Sequence, residues 1–262
     1  MKVFKFGGAS VKDAEGVKNV ATIINRFPGE QLVIVVSAMG KSTNALEVIV
    51  QNAFEDKAYQ DELNQLYDYH KNIVETLQIH VELNYFIDLI IQQLEGNRKM
   101  AFPKYYDQVV SVGELISSSI LSAYLNSVGI NNEWTDAREL ILTDDTWRAG
   151  IVDTTTTVEQ IETKIIPILT NKHIVTQGFI GRTINGYTTT LGREGSDYTG
   201  AIFASALDAE GLWIWKDVPG VLNADPKLFN DAVKLPELTY YEAIEMTYYG
   251  ASVIHPKTIQ PL

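Results

Sequence analysis

Four short runs of β-branched and aromatic residues recur along the chain: VFKF at 3–6, LVIVVS at 32–37, HIVTQGF at 173–179 and LWIW at 212–215. Nearly continuous apolar character over so few residues is the pattern of strands buried on both faces of a parallel sheet. Between the first two runs, Val17, Val20, Ala21, Ile24 and Phe27 repeat at three- and four-residue spacing. That spacing predicts one helix stripe, long enough to carry the chain from one parallel strand to the next. Residues 45–95 hold no glycine or proline and are rich in Leu, Ile, Gln, Glu and Lys. They predict two or three consecutive helices that leave the sheet, a helical excursion at about 45–100 that reads as a flap. A long helix is expected over 108–128, a short strand at 133–135 and a helix at 157–169. Gly178, Gly181, Gly186, Gly192 and Gly195 then crowd one segment, which suits hairpins and a close-approach loop before a helix over 197–207. The fold class expected is α/β, a three-layer α/β/α sandwich on a mainly parallel sheet, with ligands at the carboxyl ends of the strands. The whole span 1–262 reads as a single domain.

Composition narrows the function classes. Apolar residues make up 45% of the chain, enough for a large core, and cysteine is absent, which removes disulfides, thiolate metal sites and cysteine nucleophiles. A reducing compartment, and by default the cytoplasm, is expected. The N-terminus starts as a strand rather than a leader, and no apolar stretch is expected to reach the ~18 residues that span a bilayer. With 33 acidic against 21 basic side chains the formal charge is −12. That sign disfavours nucleic acid and anionic membranes, so an anionic ligand must be held by local positive groups.

Candidate chemistry sits where strands end. Lys5-Phe6-Gly7-Gly8-Ala9-Ser10 carries a strand into two glycines and a hydroxyl before a helix, an arrangement in which backbone N–H groups approach a phosphate. The lysine precedes the glycines, so this is not a Walker A loop. A second strand runs into Ser37-Ala38-Met39-Gly40-Lys41-Ser42-Thr43, whose hydroxyls either bind a ligand or cap the next helix. In Gly192-Arg193-Glu194-Gly195-Ser196-Asp197 the arginine offers a planar fork for a carboxylate, and Asp197 could orient an amine or a lysine; a plain loop with an ion pair is the competing reading. Glu114 in SVGEL is either a cap-region acid or an amine-binding group turned inward. Residues 215–227 (WKDVPGVLNADPK) form a polar rim suited to a base and ribose, or a surface turn.

Taken in order, these segments resemble the amino acid kinase superfamily and, within it, the aspartokinases. KFGGAS at 5–10 resembles the family's KFGG[TA]S, VVSAMG with Thr43 its second loop, SVGE its acidic helix start and GREGSD its GRGGSD. KDVPGVLNADPK at 216–227 resembles TDVDG with ADPR, and YYGASVIHPKTI at 248–259 resembles FGAKVLHPxTI. The resemblance implies ATP-dependent phosphorylation of the side-chain carboxylate of L-aspartate to 4-phospho-L-aspartate, the first step of lysine, threonine and methionine biosynthesis. Another carboxylate kinase of the superfamily, or an impaired nucleotide or amino acid sensor, are the rival readings.

By the same resemblance, Lys5 stabilises the phosphoryl group in flight and Asp197 is the second catalytic residue. Gly7, Gly8 and Ser10 donate to phosphate oxygens. Arg193 clamps the α-carboxylate, Glu114 fixes the amine, and Ser37, Thr43, Gly195 and Ser196 surround the acceptor. Lys216, Asp217, Leu222, Lys227, Ser252 and Val253 are implied along ATP. Mg²⁺ is expected to accompany ATP through phosphate and water ligands, with no dedicated protein metal site. A homo-oligomer is compatible with the family, and aspartokinases usually continue past this point into regulatory domains. Three positions depart from the pattern: Glu194 replaces a glycine, Lys216 a threonine, and Ser252 a basic residue. One gains a positive charge where another gives one up. Either Lys216 makes the phosphate or ribose contact that the family draws from a basic residue at the position of Ser252, or Lys216 points to solvent and Ser252 merely packs in the turn.

Overall fold

In the computed structural model, which describes residues 1–218, 220–225, 228–248 and 254–262, strands and helices alternate from the first residues. β1 (Lys2–Phe6) passes through a short 3-10 turn into α1 (Ala14–Ile24), and β2 (Leu32–Val36) leads into α2 (Ser42–Phe54). Four helices follow: α3 (Gln60–Leu77), α4 (Leu83–Gly96), α5 (Phe102–Val110) and α6 (Val112–Ser127). Next come β3 (Asn132–Thr135), β4 (Leu142–Thr143), α7 (Thr154–Leu169), β5 (His173–Gln177), β6 (Ile180–Thr183) and β7 (Thr188–Thr190). Then α8 (Gly195–Ala206), β8 (Leu212–Trp215), α9 (Tyr240–Tyr248) and α10 (Pro256–Ile259) complete the order.

The main sheet runs β3-β5-β2-β1-β8 with every pair parallel. Its central strand β2 is apolar and buried at every position, as a strand covered on both faces must be. Helix α6 packs on β2, β3 and β5 from one side and adjoins α1, while α7 and α8 pack together on the other. The three layers expected of an α/β sandwich are therefore present. Helix α1 begins where Asp13 accepts the Gly16 N–H at 2.8 Å, and it buries Ala14, Val17, Val20, Ala21 and Ile24. A second, smaller sheet, β4-β6-β7, combines a parallel pair with an antiparallel hairpin and stands beside the carboxyl ends of the main strands.

Three expectations need correction. The excursion is not a loose flap: Leu66, Ile73, Phe86, Ile90 and Leu94 from α3 and α4 belong to the buried apolar cluster, and both helices pack on α5 or α2. The helix expected over 108–128 is two helices meeting at Ser111, because α5 starts earlier, with Pro103 in its first turn. Together they make an apolar run, Phe102–Ser127, long enough and apolar enough to cross a membrane, contrary to the expectation from sequence. Its most apolar window is 83% buried inside the fold, which identifies a core pair of helices.

Candidate active site

The carboxyl ends of β1, β2 and β8 are level, since Phe6 pairs with Val36 on one side and Trp215 on the other. Loops leaving these ends must therefore lie side by side. The Gly40 N–H donates to the Gly8 carbonyl at 3.0 Å, and the Gly7 N–H to the Trp215 carbonyl at 3.4 Å. A Cβ added at Gly8 would come within 2.5 Å of the Ala38 carbonyl oxygen, so only glycine allows this approach. A Cβ at Gly7 would lie 3.7 Å from Lys5 Nζ, which puts the loop backbone beside a charged group.

Lys5 occupies the penultimate position of β1, between buried Phe4 and Phe6 but on the opposite face. Only 5% of it is exposed, and its Nζ meets Asp197 Oδ1 at 2.6 Å. Asp197 is fully buried in the first turn of α8. Burial alone would push its carboxyl up; the ammonium groups of Lys5 and Lys216 outweigh it and hold the carboxyl below the usual range. Lys216 Nζ lies 2.9 Å from Asp197 Oδ2 and 3.6 Å from Glu194 Oε2. Desolvating such charges costs several kcal/mol per ion by order of magnitude, so a buried ion pair is a poor device for stability and better suited to chemistry.

Asp197 opens onto a cleft of about 420 Å³. Ser37, Thr43, Glu114, Arg193, Gly195 and Ser196 all line it together with Lys5 and Asp197, so the residues named from four separate segments of sequence converge. Glu114 sits in the first turn of α6 and points inward, 3% exposed, so it has the position of a cap-region acid and the orientation of a group facing the cleft. Burial pushes its carboxyl up to about 8, against the opposing pull of Lys5 and a hydrogen bond from the Ala38 backbone. Its Oε2 is buried without a hydrogen-bond partner among the described residues, which an ammonium group in the cleft would supply.

The Gly-rich loop before α8 is held from several sides. Glu194 adopts φ +53°, and Lys257 of α10 donates to the Leu191 carbonyl at 2.7 Å with its ammonium over the Tyr198 ring. The HPK segment near the end of the chain thus anchors the site; the sequence showed the motif but not this role. Ser10 donates to the Trp215 carbonyl at 3.4 Å, beside the cleft rather than lining it. Asp217 is exposed, and Leu222, which follows β8, pairs with Lys234 across a β-bridge. Lys227, Ser252 and Val253 lie outside the described residues. Glu47, Tyr106, Arg148, Phe179 and Thr190 also line the cleft and were not anticipated. Of these, Glu47 and Arg148 are charged, but neither lies at a strand end among glycines, where the sequence pointed to a site.

Comparison with known proteins agrees with this geometry. The model of the amino acid kinase family matches residues 1–262. The chain is similar to the chloroplastic aspartokinase 1 of Arabidopsis thaliana, 38% identical over 99% of this chain and 47% of that protein. It is 34% identical to the lysine-sensitive aspartokinase 3 of Escherichia coli over 99% of this chain and 58% of that protein. A crystal structure of E. coli aspartokinase III in complex with aspartate and ADP superposes with a TM-score of 0.89 at 32% identity, covering 100% of this chain and 59% of that one. The chain spans about half the length of the curated relatives it matches.

Proposed function

We propose, for a chain that belongs to the amino acid kinase family, that it transfers the γ-phosphoryl group of ATP to the side-chain carboxylate of L-aspartate, giving 4-phospho-L-aspartate and ADP. The observation that carries this reading is the convergence on one cleft of a buried lysine held by a buried aspartate, a carboxylate-binding arginine and a glutamate with an unpartnered oxygen. Likeness to a structure holding aspartate and ADP supports the choice of substrates.

Phosphoryl transfer asks a protein for alignment and positive charge more than for covalent chemistry. Arg193 takes the α-carboxylate through its fork, and Glu114 takes the ammonium group, which draws its carboxyl back toward the ionised form. Hydroxyls of Ser37, Thr43 and Ser196 and the Gly195 N–H surround the acceptor end. An oxygen of the side-chain carboxylate attacks the γ-phosphorus in line as the bond to the ADP oxygen breaks. The attacking group is already ionised, so no general base is required. Lys5 meets the equatorial oxygens as charge builds on them, and Asp197 keeps its ammonium aimed there. Gly7, Gly8 and Ser10 border the phosphates; Lys216, Asp217 and Leu222 extend toward the rest of ATP. Mg²⁺ would be held through phosphate oxygens and water and would neutralise further charge on the phosphates. A reducing cytoplasm suits a cysteine-free chain of this acidity.

ADP release coupled to pyruvate kinase and lactate dehydrogenase, with a panel of amino acids, tests the reading. L-aspartate should give the highest kcat/KM. A preference for glutamate or N-acetylglutamate would replace aspartate by another acceptor of the same family.

A further inference from the structure

Arg148 lines the cleft together with Arg193, from a different part of the chain. Its guanidinium carbon lies 4.2 Å from the centroid of the Tyr106 ring. Stacking holds a guanidinium by its face and leaves the N–H donors along its edge to other partners. The backbone beneath it is fixed as firmly. Arg148 adopts φ +66°, and its N–H donates to Asp107 Oδ2 at 2.9 Å. Asp107 is fully buried, and its other oxygen accepts the Thr190 hydroxyl at 2.7 Å. The Gly150 N–H donates to the Thr190 carbonyl at 2.9 Å, and the neighbouring Trp147 ring packs edge-on against Tyr187. A left-handed backbone at a non-glycine residue persists where its surroundings over-determine it, and such residues concentrate at ligand sites.

The charges of the cleft leave Arg148 with work to do. Lys5 and Lys216 are committed to Asp197, and Glu194 to Lys216. Among the described residues the ion-paired arginines are Arg98 and Arg138; neither Arg148 nor Arg193 has a carboxylate within ion-pair distance. Of the other acidic groups lining the cleft, Glu47 accepts the Tyr106 hydroxyl and Glu114 is buried with its carboxyl pushed up, so two arginine forks open on one small cleft with no carboxylate of the described residues at ion-pair distance. A ligand with a single carboxylate satisfies one of them. A ligand with two satisfies both.

We propose that Arg148 binds the second carboxylate of the amino acid: Arg193 holds the α-carboxylate, and Arg148 holds the side-chain carboxylate through one oxygen while the other attacks phosphorus. The pair then selects a dicarboxylic amino acid and sets the distance between its two acid groups. This rests on the acceptor reading given under Proposed function.

The test compares L-aspartate with L-asparagine, which has the same shape and lacks the second carboxylate, in the wild-type chain, Arg148→Gln and Arg148→Lys. Aspartate is followed by turnover and by calorimetry, and asparagine as a competitor of aspartate. In wild type, asparagine should bind at least tenfold more weakly than aspartate. Arg148→Gln should raise the KM and Kd for aspartate at least tenfold and leave the KM for ATP and the inhibition constant of asparagine within twofold. Arg148→Lys, which keeps the charge and loses the fork, should fall between. An equal loss for both amino acids, no loss, or a wild type that does not distinguish them would overturn the assignment. Failure of the underlying reading looks different: a wild-type chain that turns over another acceptor and not aspartate.

Discussion

Lys216 Nζ lies 2.9 Å from Asp197 Oδ2, on the carboxylate oxygen opposite the one that Lys5 holds at 2.6 Å. One buried carboxylate of the cleft thus holds two ammonium groups, that of Lys5, which lines the cleft, and that of Lys216 behind it. Lys216 also reaches Glu194 at 3.6 Å, so two of the three positions that depart from the family pattern are in contact with each other. The partner anticipated for Lys216 from sequence, Ser252, lies outside the described residues.

This contact makes the two departures interdependent. Lys216→Thr removes one positive charge and leaves Glu194 without its lysine while Lys5 still holds Asp197, and it should lower kcat/KM for ATP by a factor equivalent to about 1 to 3 kcal/mol, the scale of a charge-assisted hydrogen bond. Adding Glu194→Gly removes the carboxylate left without its lysine and should recover part of the loss. A double-mutant cycle on kcat/KM measures the coupling; additivity within about 0.5 kcal/mol would show the two sites to be independent.

Lys5→Ala should lower kcat far more than it raises the KM for aspartate, because its charge matters most as the phosphoryl group moves. Losing a transition-state contact of this kind costs roughly 3 kcal/mol, about a hundredfold in rate. Steady-state kinetics decide, and an unchanged kcat removes Lys5 from the mechanism.

Arg193→Lys should raise the KM for aspartate much more than that for ATP, since an ammonium cannot make the two parallel hydrogen bonds of the fork. Equal effects on both substrates would contradict its assignment to the α-carboxylate.

Glu114 predicts a pH dependence whose sign follows from its burial. Its carboxyl, pushed up to about 8 from an ordinary 4.5, binds its proton more tightly in the folded chain than in the unfolded one. The stability this contributes is present in full below about pH 4.5 and declines by at most about 1.4 kcal/mol per pH unit until about pH 8. Glu114→Gln removes that decline. The melting temperature of wild type should therefore fall more steeply than that of Glu114→Gln between pH 5 and pH 8, in the absence of substrate. Parallel curves would show that Glu114 ionises freely in the folded chain.

β1, β2 and β5 were legible because each is a short, largely apolar run that a doubly covered sheet buries; β8, read in the same way as a buried strand, is instead an edge strand and half-buried along its whole length. The break at Ser111 was not legible, because α5 and α6 are both buried in the core and Gly113, the one glycine near the junction, lies inside the first turn of α6 rather than at the break. At the site, Lys5, Arg193 and Asp197 announced themselves by lying at strand ends or helix starts among glycines. Arg148 did not: it belongs to the loop between β4 and α7, and its place in the cleft depends on Asp107, forty-one positions earlier. Glu47 and Tyr106 reach the cleft from α2 and α5 through the packing of the helical excursion, which local periodicity cannot specify.

The central claim is that aspartate, held in this cleft, receives the phosphoryl group on its side-chain carboxylate. An acyl phosphate reacts with hydroxylamine, so the direct measurement is formation of aspartyl hydroxamate by the purified 262-residue chain with ATP, Mg²⁺ and L-aspartate. The account predicts hydroxamate in proportion to ADP released, with loss of both in Lys5→Ala. ADP release without hydroxamate, or hydroxamate formation undiminished in Lys5→Ala, would contradict it.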